Sequence, residues 1–378
     1  MSYRIFIRHF TLGLALVPMF ACVAEDEDGD LVWVREAPEA PSNSWIVVFE
    51  PGVSVDSRVA EIAADHGVTV EHTYHHALRG FSFRGSEQAA AQIANLSDVA
   101  YIEPDQIATI LDKPDGVGKP GGGGGQVIPW GVTRVGGGES SGNGTAWVID
   151  TGIDLDHPDL NVDVERSINY VTIGKPSPDD GHGHGTHVAG TIAAIDNDID
   201  VVGVAPGAPL VAVRVLDNGG SGTYGAVIKG VDYVAGNASP GDVANMSLGG
   251  PPSNALDQAV MNAAEAGLEF AIAAGNDDAN AGDYSPARVN HDNVYTVSAI
   301  ASSDCLTSWS NWGMPPVDTA APGSSILSTK NNGGTTTKSG TSMAAPHVAG
   351  LLLLGTVQAD GMTCSPDAGG DQHPIAHN

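Results

Sequence analysis

From Trp147 onward the chain alternates short, wholly apolar runs with stretches whose apolar residues recur at helical spacing, and few folds accept that pattern. The runs Trp147–Ile149, Leu210–Val215, Val243–Ser247, Leu268–Ala274 and Val294–Ala299 have the length of strands, and their unbroken hydrophobicity suits burial on both faces of a parallel sheet. Helices are expected between them at Val188–Ile195, Tyr224–Ala235 and Ala255–Ala266. The alternation predicts a doubly wound α/β domain over 128–378, with a mostly parallel sheet and helices on both faces. In such a sheet the reactive loops gather at the carboxyl ends of the strands.

Residues 44–111 read differently. The order strand (Ser44–Phe49), helix (around Val59–Ala63), strand (Val68–His72), strand (Gly80–Phe83), helix (Ala89–Ala94), strand (Val99–Ile102) is that of a small ferredoxin-like α+β unit. The stretch 112–127, with its glycine run Gly121–Gly125, predicts a linker open to proteolytic processing. At the N-terminus Arg4 and Arg8 precede an apolar run from Phe10 to Ala21, too short to span a bilayer comfortably, so 1–24 reads as an export signal. Cys22 offers a lipidation site as the alternative to ordinary cleavage after Ala24, and 25–43 is an acidic, proline-containing spacer. A secreted protein, or a cell-envelope lipoprotein held to a membrane only through Cys22, follows.

Acidic residues outnumber basic ones 45 to 16, a formal charge of −29, which disfavours nucleic acid as a partner and favours solubility as a monomer. With Cys22 removed or lipidated, Cys305 and Cys364 form an even pair in an oxidising compartment, so a disulfide between them is expected, free buried thiols being the alternative.

Three segments carry reactive residue types at element ends. Asp150, in Val148-Ile-Asp-Thr-Gly-Ile-Asp154, sits at the end of a buried strand, where a carboxylate is costly unless hydrogen-bonded. His184 lies in His182-Gly-His-Gly-Thr-His-Val-Ala-Gly190, and Ser342 opens a helix in Ser339-Gly-Thr-Ser-Met-Ala-Ala-Pro-His-Val-Ala-Gly350. A nucleophile at a helix N-terminus faces the positive end of the dipole.

These segments, in the order Asp, His, Ser, resemble the signatures of the subtilisin-like (subtilase) serine proteases. The resemblance covers about 128–355 and implies a triad of Asp150, His184 and Ser342. It also implies Asn276, in Ala273-Ala-Gly-Asn276, as an oxyanion donor beside the Ser342 N–H. Ser247, Leu248 and Gly249 resemble the wall of the primary specificity pocket, and Gly220, Ser221 and Gly222 the edge that pairs with an extended peptide. Residues 44–111 resemble the family's inhibitory propeptide, at His76-Ala-Leu-Arg-Gly-Phe81 and Ile102-Glu-Pro-Asp105, with the segment near Ile110 entering the cleft like a product. Val213–Asp217, Tyr284–Ala287 and Ser308–Asn311 are closest to the proteinase K branch, where a calcium ion is held by an aspartate matching Asp318 and by carbonyls near Val294.

The resemblance therefore implies a self-processing endopeptidase acting on proteins and peptides, with no cofactor for catalysis and calcium as a structural ion. No N-terminal calcium site is evident in the sequence before Asp150, and the tail after Leu354 is shorter than the family's. A zinc cluster of Asp180, His182, His184 and His187 is the competing enzymatic reading, but it leaves the Gly-Thr-Ser-Met-Ala segment without a role. A catalytically dead binding module would have lost a triad member, and none is lost. His182 and His187 are assigned packing roles.

Overall fold

The computed structural model describes residues 22–25, 31–34, 41–113, 125–172, 176–355 and 357–378. In the N-terminal unit, Cys22–Glu25 and Leu31–Val34 form an antiparallel pair. The rest of the expected signal and spacer up to residue 40, and most of the glycine linker, lie outside the described residues. From Ala40 to Asn378 the chain forms one compact unit.

Its first layer is the expected small α+β fold. Strands β1 (Ser44–Phe49), β2 (Thr69–Tyr74), β3 (Gly80–Arg84) and β4 (Val99–Pro104) form an antiparallel sheet in the order β2-β3-β1-β4. Helices α1 (Val55–His66) and α2 (Glu87–Ile93) pack on one face, closing a core of Val47, Phe81, Phe83, Ile62 and Ile93. One further strand, β5 (Ile107–Ile110), leaves this sheet and has no counterpart in the sequence pattern.

A short helix α3 (Trp130–Arg134) leads into the second layer, whose sheet uses β6 (Ala146–Asp150), β7 (Ile168–Asn169), β8 (Leu210–Arg214), β10 (Val243–Met246), β12 (Glu269–Ala273), β13 (Val294–Ile300), β14 (Val317–Pro322), β17 (Gln358–Met362) and β18 (Pro374–His377). Two short segments, β9 (Ser221–Thr223) and β11 (Leu248–Gly249), stand outside it. The nine-stranded order is β17-β18-β14-β13-β12-β10-β6-β8-β7, parallel throughout except for the terminal β17–β18 pair. Every expected strand is present to within a residue or two.

The expected helices occur as α4 (His184–Ala193), α5 (Tyr224–Asn237) and α6 (Asn254–Glu265), with α7 (Thr341–Leu354) after the hairpin β15 (Ile326–Thr329)–β16 (Thr335–Lys338). Helix α4 begins four residues earlier than its apolar spacing predicts, because His184 and Gly185 dilute the hydrophobic signal of its first turn. Helix α7 is buried on nearly every side, and Pro346 sits well inside it. Proline removes the N–H that would bond the Ser342 carbonyl; the Ser247 hydroxyl donates to that carbonyl instead, at 2.9 Å.

After α7 the chain returns as a β-hairpin that extends the sheet. It is held by the Cys305–Cys364 disulfide, with Cα atoms 4.7 Å apart. It is also held by buried His373, whose ring bonds Ser298 Oγ at 2.7 Å and Asp367 at 3.0 Å. No helix among the described residues is long and apolar enough to cross a membrane.

The two layers meet through carboxylates placed where helices have free N–H groups. Glu103 accepts from Ser253 Oγ, Asn254 N and Ala255 N at the start of α6, and Asp105 accepts from Gly225 N at 2.9 Å at the start of α5. Both satisfy orphan donors and face the positive helix end. In the opposite direction, buried Asp232 of α5 collects the backbone N–H groups of His75, His76 and Ala77 at 2.9, 2.6 and 3.0 Å. Such charge-assisted bonds contribute more than neutral ones. Asp232→Ala is therefore expected to weaken association of a separately supplied 44–111 segment with the second layer by about tenfold or more, measured as a dissociation constant.

Candidate active site

The carboxyl ends of the central strands converge on one cleft. Asp150 is the last residue of β6 and fully buried. Its Oδ1 accepts from Thr151 N at 2.6 Å and faces His184 Nδ1 at 2.7 Å. An ionised carboxylate only accepts, so the ring proton resides on Nδ1 when His184 is neutral, leaving Nε2 as the basic nitrogen. His184 opens α4, and its ring is fully buried. Ser342 is the second residue of α7; its Oγ donates to the Ser247 carbonyl at 2.9 Å.

Strand β5 fills this cleft. It pairs antiparallel on one side with β9 (Ser221↔Thr109, Gly222↔Ala108, Thr223↔Ile107) and on the other with β11 (Leu248↔Ile110, Gly249↔Thr109). Ile110 N donates to the Gly220 carbonyl at 3.0 Å, which continues the ladder. The register brings Leu111 onto the reactive groups. Leu111 N donates to Ser342 Oγ at 3.0 Å, while the Leu111 carbonyl accepts from Asn276 Nδ2.

Asn276 is fixed for this contact, because its Oδ1 accepts from Thr341 N at 2.9 Å and from Thr341 Oγ1 at 3.0 Å. Two glycines make room. A Cβ on Gly340, whose φ is +150°, would fall 2.2 Å from the Leu111 carbonyl, and one on Gly249 would come within 3.3 Å of Leu111 Cδ1. The Leu111 side chain thus lies against the segment that sequence assigns to the specificity pocket. The bond presented to Ser342 is Leu111–Asp112, upstream of the glycine run singled out for processing.

Beyond that bond, Asp112 stands between Lys338 and the His184 ring. Its Oδ2 meets Lys338 Nζ at 2.5 Å, and its Oδ1 lies 3.2 Å from His184 Nε2. The second contact is close but poorly aligned, since neither atom completes a hydrogen bond there. It acts as a charge pair. Burial opposes charge on His184, yet Asp150 and Asp112 outweigh it and raise its pKa to about 10. Burial likewise opposes charge on Asp112, and His184 and Lys338 outweigh it, holding the carboxyl well below the usual range.

His187 donates through Nε2 to the Ile326 carbonyl at 3.0 Å, and burial lowers its pKa to about 3. Burial also lowers that of His182. Asp180 is occupied by Thr151 Oγ1, His182 N, Gly183 N and both donors of Thr186. Among the described residues no three His, Cys, Asp or Glu side chains converge as metal ligands would.

Asp318 and Val294 lie at the amino ends of β14 and β13, away from the cleft. Asp318 accepts one hydrogen bond, from Thr296 N at 2.8 Å, and burial pushes its carboxyl up to about 6. A second oxygen-rich point escaped the sequence reading. The Ile195 carbonyl, Asn197 Oδ1 and the Val201 carbonyl converge on Gln126 Nε2 at 2.7, 3.5 and 3.4 Å. Fully buried Asp159, whose Oδ1 finds no donor in hydrogen-bonding geometry, takes Val201 N on Oδ2 at 3.3 Å. Burial raises its pKa to about 7. The run Asp196–Asp200 reads as a solvated loop in sequence, and only folding brings Gln126, 70 residues upstream of Asp196 (196 − 126), beside it.

The sequence pattern of the subtilase family matches residues 146–365, and that of the peptidase inhibitor I9 family matches residues 43–111. The chain belongs to the subtilase family. It is a subtilisin-like serine protease made with its own inhibitor propeptide.

It is 37% identical over 366 residues to "Subtilisin-like protease 1" of Arthroderma otae, covering 88% of this chain and 71% of that protein. Identity to the "Extracellular serine proteinase" of Thermus sp. (strain Rt41A) is 38% over 384 residues, covering 91% and 88%. The crystal structure of a cold adapted subtilisin-like serine proteinase superposes with a TM-score of 0.57 at 40% identity, covering 66% of this chain and 98% of the other.

The subtilase precursor carries a checkable electrostatic signature. His184, raised from 6.5 to about 10, contributes stability that is fully present below pH 6.5 and lost as pH rises through about 10. In the uncut Ser342→Ala precursor, Asp112→Asn should lower the melting temperature near pH 6, and the difference should shrink as pH rises through about 10, leaving only the part owed to the Lys338 pair; thermal unfolding at a series of pH values reads both.

Proposed function

We propose that Ser342 is the nucleophile, His184 the general base and Asp150 the residue that orients and supports the imidazolium. In this reading Ser342 Oγ attacks the substrate carbonyl and its proton passes to His184 Nε2. The tetrahedral oxyanion is held by Asn276 Nδ2 and the Ser342 N–H at the positive end of α7. Collapse expels the amine, which takes its proton from His184, and leaves an acyl-enzyme on Ser342. Water, deprotonated by the same histidine, then releases the acid. The observation that carries the reading is Leu111, whose carbonyl rests on Asn276 Nδ2 while its N–H meets Ser342 Oγ.

Substrates bind as a strand between β9 and β11, using Gly220, Ser221 and Gly222 on one side and Ser247, Leu248 and Gly249 on the other. Most recognition is by backbone, so specificity is broad, with the Gly249 side of the cleft taking an apolar residue before the cut. The first substrate is the chain's own Leu111–Asp112 bond, and the propeptide 44–111 remains as an inhibitor until it dissociates. The N-terminal pattern, and relatives named as extracellular, support export by a signal peptide.

Calcium is a structural ion in this reading. Asp159, with the oxygens of Ile195, Asn197, Val201 and Gln126, offers the hard, oxygen-rich surroundings that calcium takes. Asp318 with carbonyls near Val294 offers a second site. Calcium chelation should lower the melting temperature by about 5–10 °C, the shift expected for loss of a well-saturated ligand. Asp159→Asn should abolish most of that response and Asp318→Asn the remainder.

Comparing the precursor with its Ser342→Ala variant tests the catalytic assignment. The parent should shed its first 111 residues, yielding Asp112 as a new N-terminus, and then degrade casein. The variant should keep its full mass and remain inert. Equal processing in both would remove Ser342 from the mechanism. Asn276→Ala should slow turnover by about 10²–10³, the loss that follows removal of the corresponding donor in subtilisin.

A further inference from the structure

The side of the cleft that receives the residue after the scissile bond contains a cation whose partner is part of the substrate. Lys338, the last residue of β16, bonds Asp112 Oδ2 at 2.5 Å, and its side chain is 23% exposed. Asp112 is the one carboxylate that pairs with it, among the described residues. The backbone beyond continues in the same register, with Lys113 N donating to the Ser339 carbonyl at 2.8 Å. Cleavage at Leu111 would make Asp112 the first residue of the leaving segment, free to withdraw. Lys338 would then stand beside the empty position with no carboxylate of its own.

We propose that Lys338 forms a subsite selecting an acidic residue immediately after the scissile bond, with Asp112 as its first occupant. The inference rests on the reading that Leu111–Asp112 lies across Ser342 as a substrate does. An ammonium four residues ahead of Ser342 in sequence, on a strand rather than a mobile loop, is positioned to attract Asp or Glu and to repel Lys or Arg at that place. The pair is partly buried, so it escapes much of the screening that weakens exposed ion pairs. The other carboxylate oxygen faces His184, which bears on the chemical step. Binding and turnover must therefore be read separately.

The test uses the matured enzyme and three internally quenched peptides that differ only after the cut, reading Leu–Asp, Leu–Ala and Leu–Lys. All three give the same acyl-enzyme, so differences arise before it forms. The KM for Leu–Asp should lie about tenfold below that for Leu–Lys at low salt, and the gap should shrink severalfold in 0.5 M NaCl. Lys338→Glu should invert the order, and Lys338→Gln should level it, with Leu–Ala little changed. Equal KM values for the three peptides in the parent enzyme would overturn the subsite without needing either variant. So would an Asp preference that survives Lys338→Gln. Failure of the parent to cut any of the three would instead count against the catalytic reading.

Discussion

Strand β5 bonds β9 and β11 together in a single register, and the geometry of the cleft follows from it. A slip of one residue would turn every side chain to the opposite face and move the Leu111 carbonyl off Asn276. Three backbone pairings on one side and two on the other hold that register. The parallel sheet supplies the rigid floor. Asp150, His184, Asn276 and Ser342 come from four separate stretches of chain, and they meet because their strands and helices end at the same edge. A buried carboxylate such as Asp150 would be prohibitively costly alone, and its bonds to Thr151 and His184 are what make it tolerable.

The propeptide is held by the same electrostatic logic that serves the site. Glu103 and Asp105 cap helices that belong to the protease, and Asp232 of the protease gathers three amides that belong to the propeptide. Each layer thus completes backbone groups the other leaves open. A useful contrast lies at the far edge of the sheet, where Ser298, His373 and Asp367 form a second hydrogen-bonded Ser–His–Asp relay. No oxyanion donor like Asn276 is paired with it among the described residues, and the relay pins a hairpin. Composition alone does not make a triad reactive; an accessible edge and an oxyanion donor do.

Much of this was legible in the residues. The five apolar runs became five parallel strands because burial on both faces leaves no room for alternation, and the motifs around Asp150, His184, Asn276 and Ser342 fell at strand and helix ends as such chemistry needs. What escaped was governed by pairing across long separations. Ile107–Ile110 is too short and mixed to announce a strand, and it becomes one only between β9 and β11. The strand Val317–Pro322 is interrupted by Asp318 and Thr319 and continues in two small alanines, so its hydrophobic signal is weak although most of it is buried. The convergence of oxygens at Gln126 depends on a contact between segments that have no common sequence pattern. The bond that meets Ser342 is set by strand register, which no local composition announces.

The placement of Leu111–Asp112 inside its own chain has a kinetic meaning. A bond tethered to its catalyst is presented at a fixed effective concentration, however dilute the molecule is. Maturation by a cut at this bond would be unimolecular, with a rate indifferent to dilution. Rebinding of the severed propeptide is bimolecular and weakens as molecules spread apart. The same contacts would therefore give prompt cutting and, while molecules are crowded, lasting inhibition, with release set by the volume into which they spread.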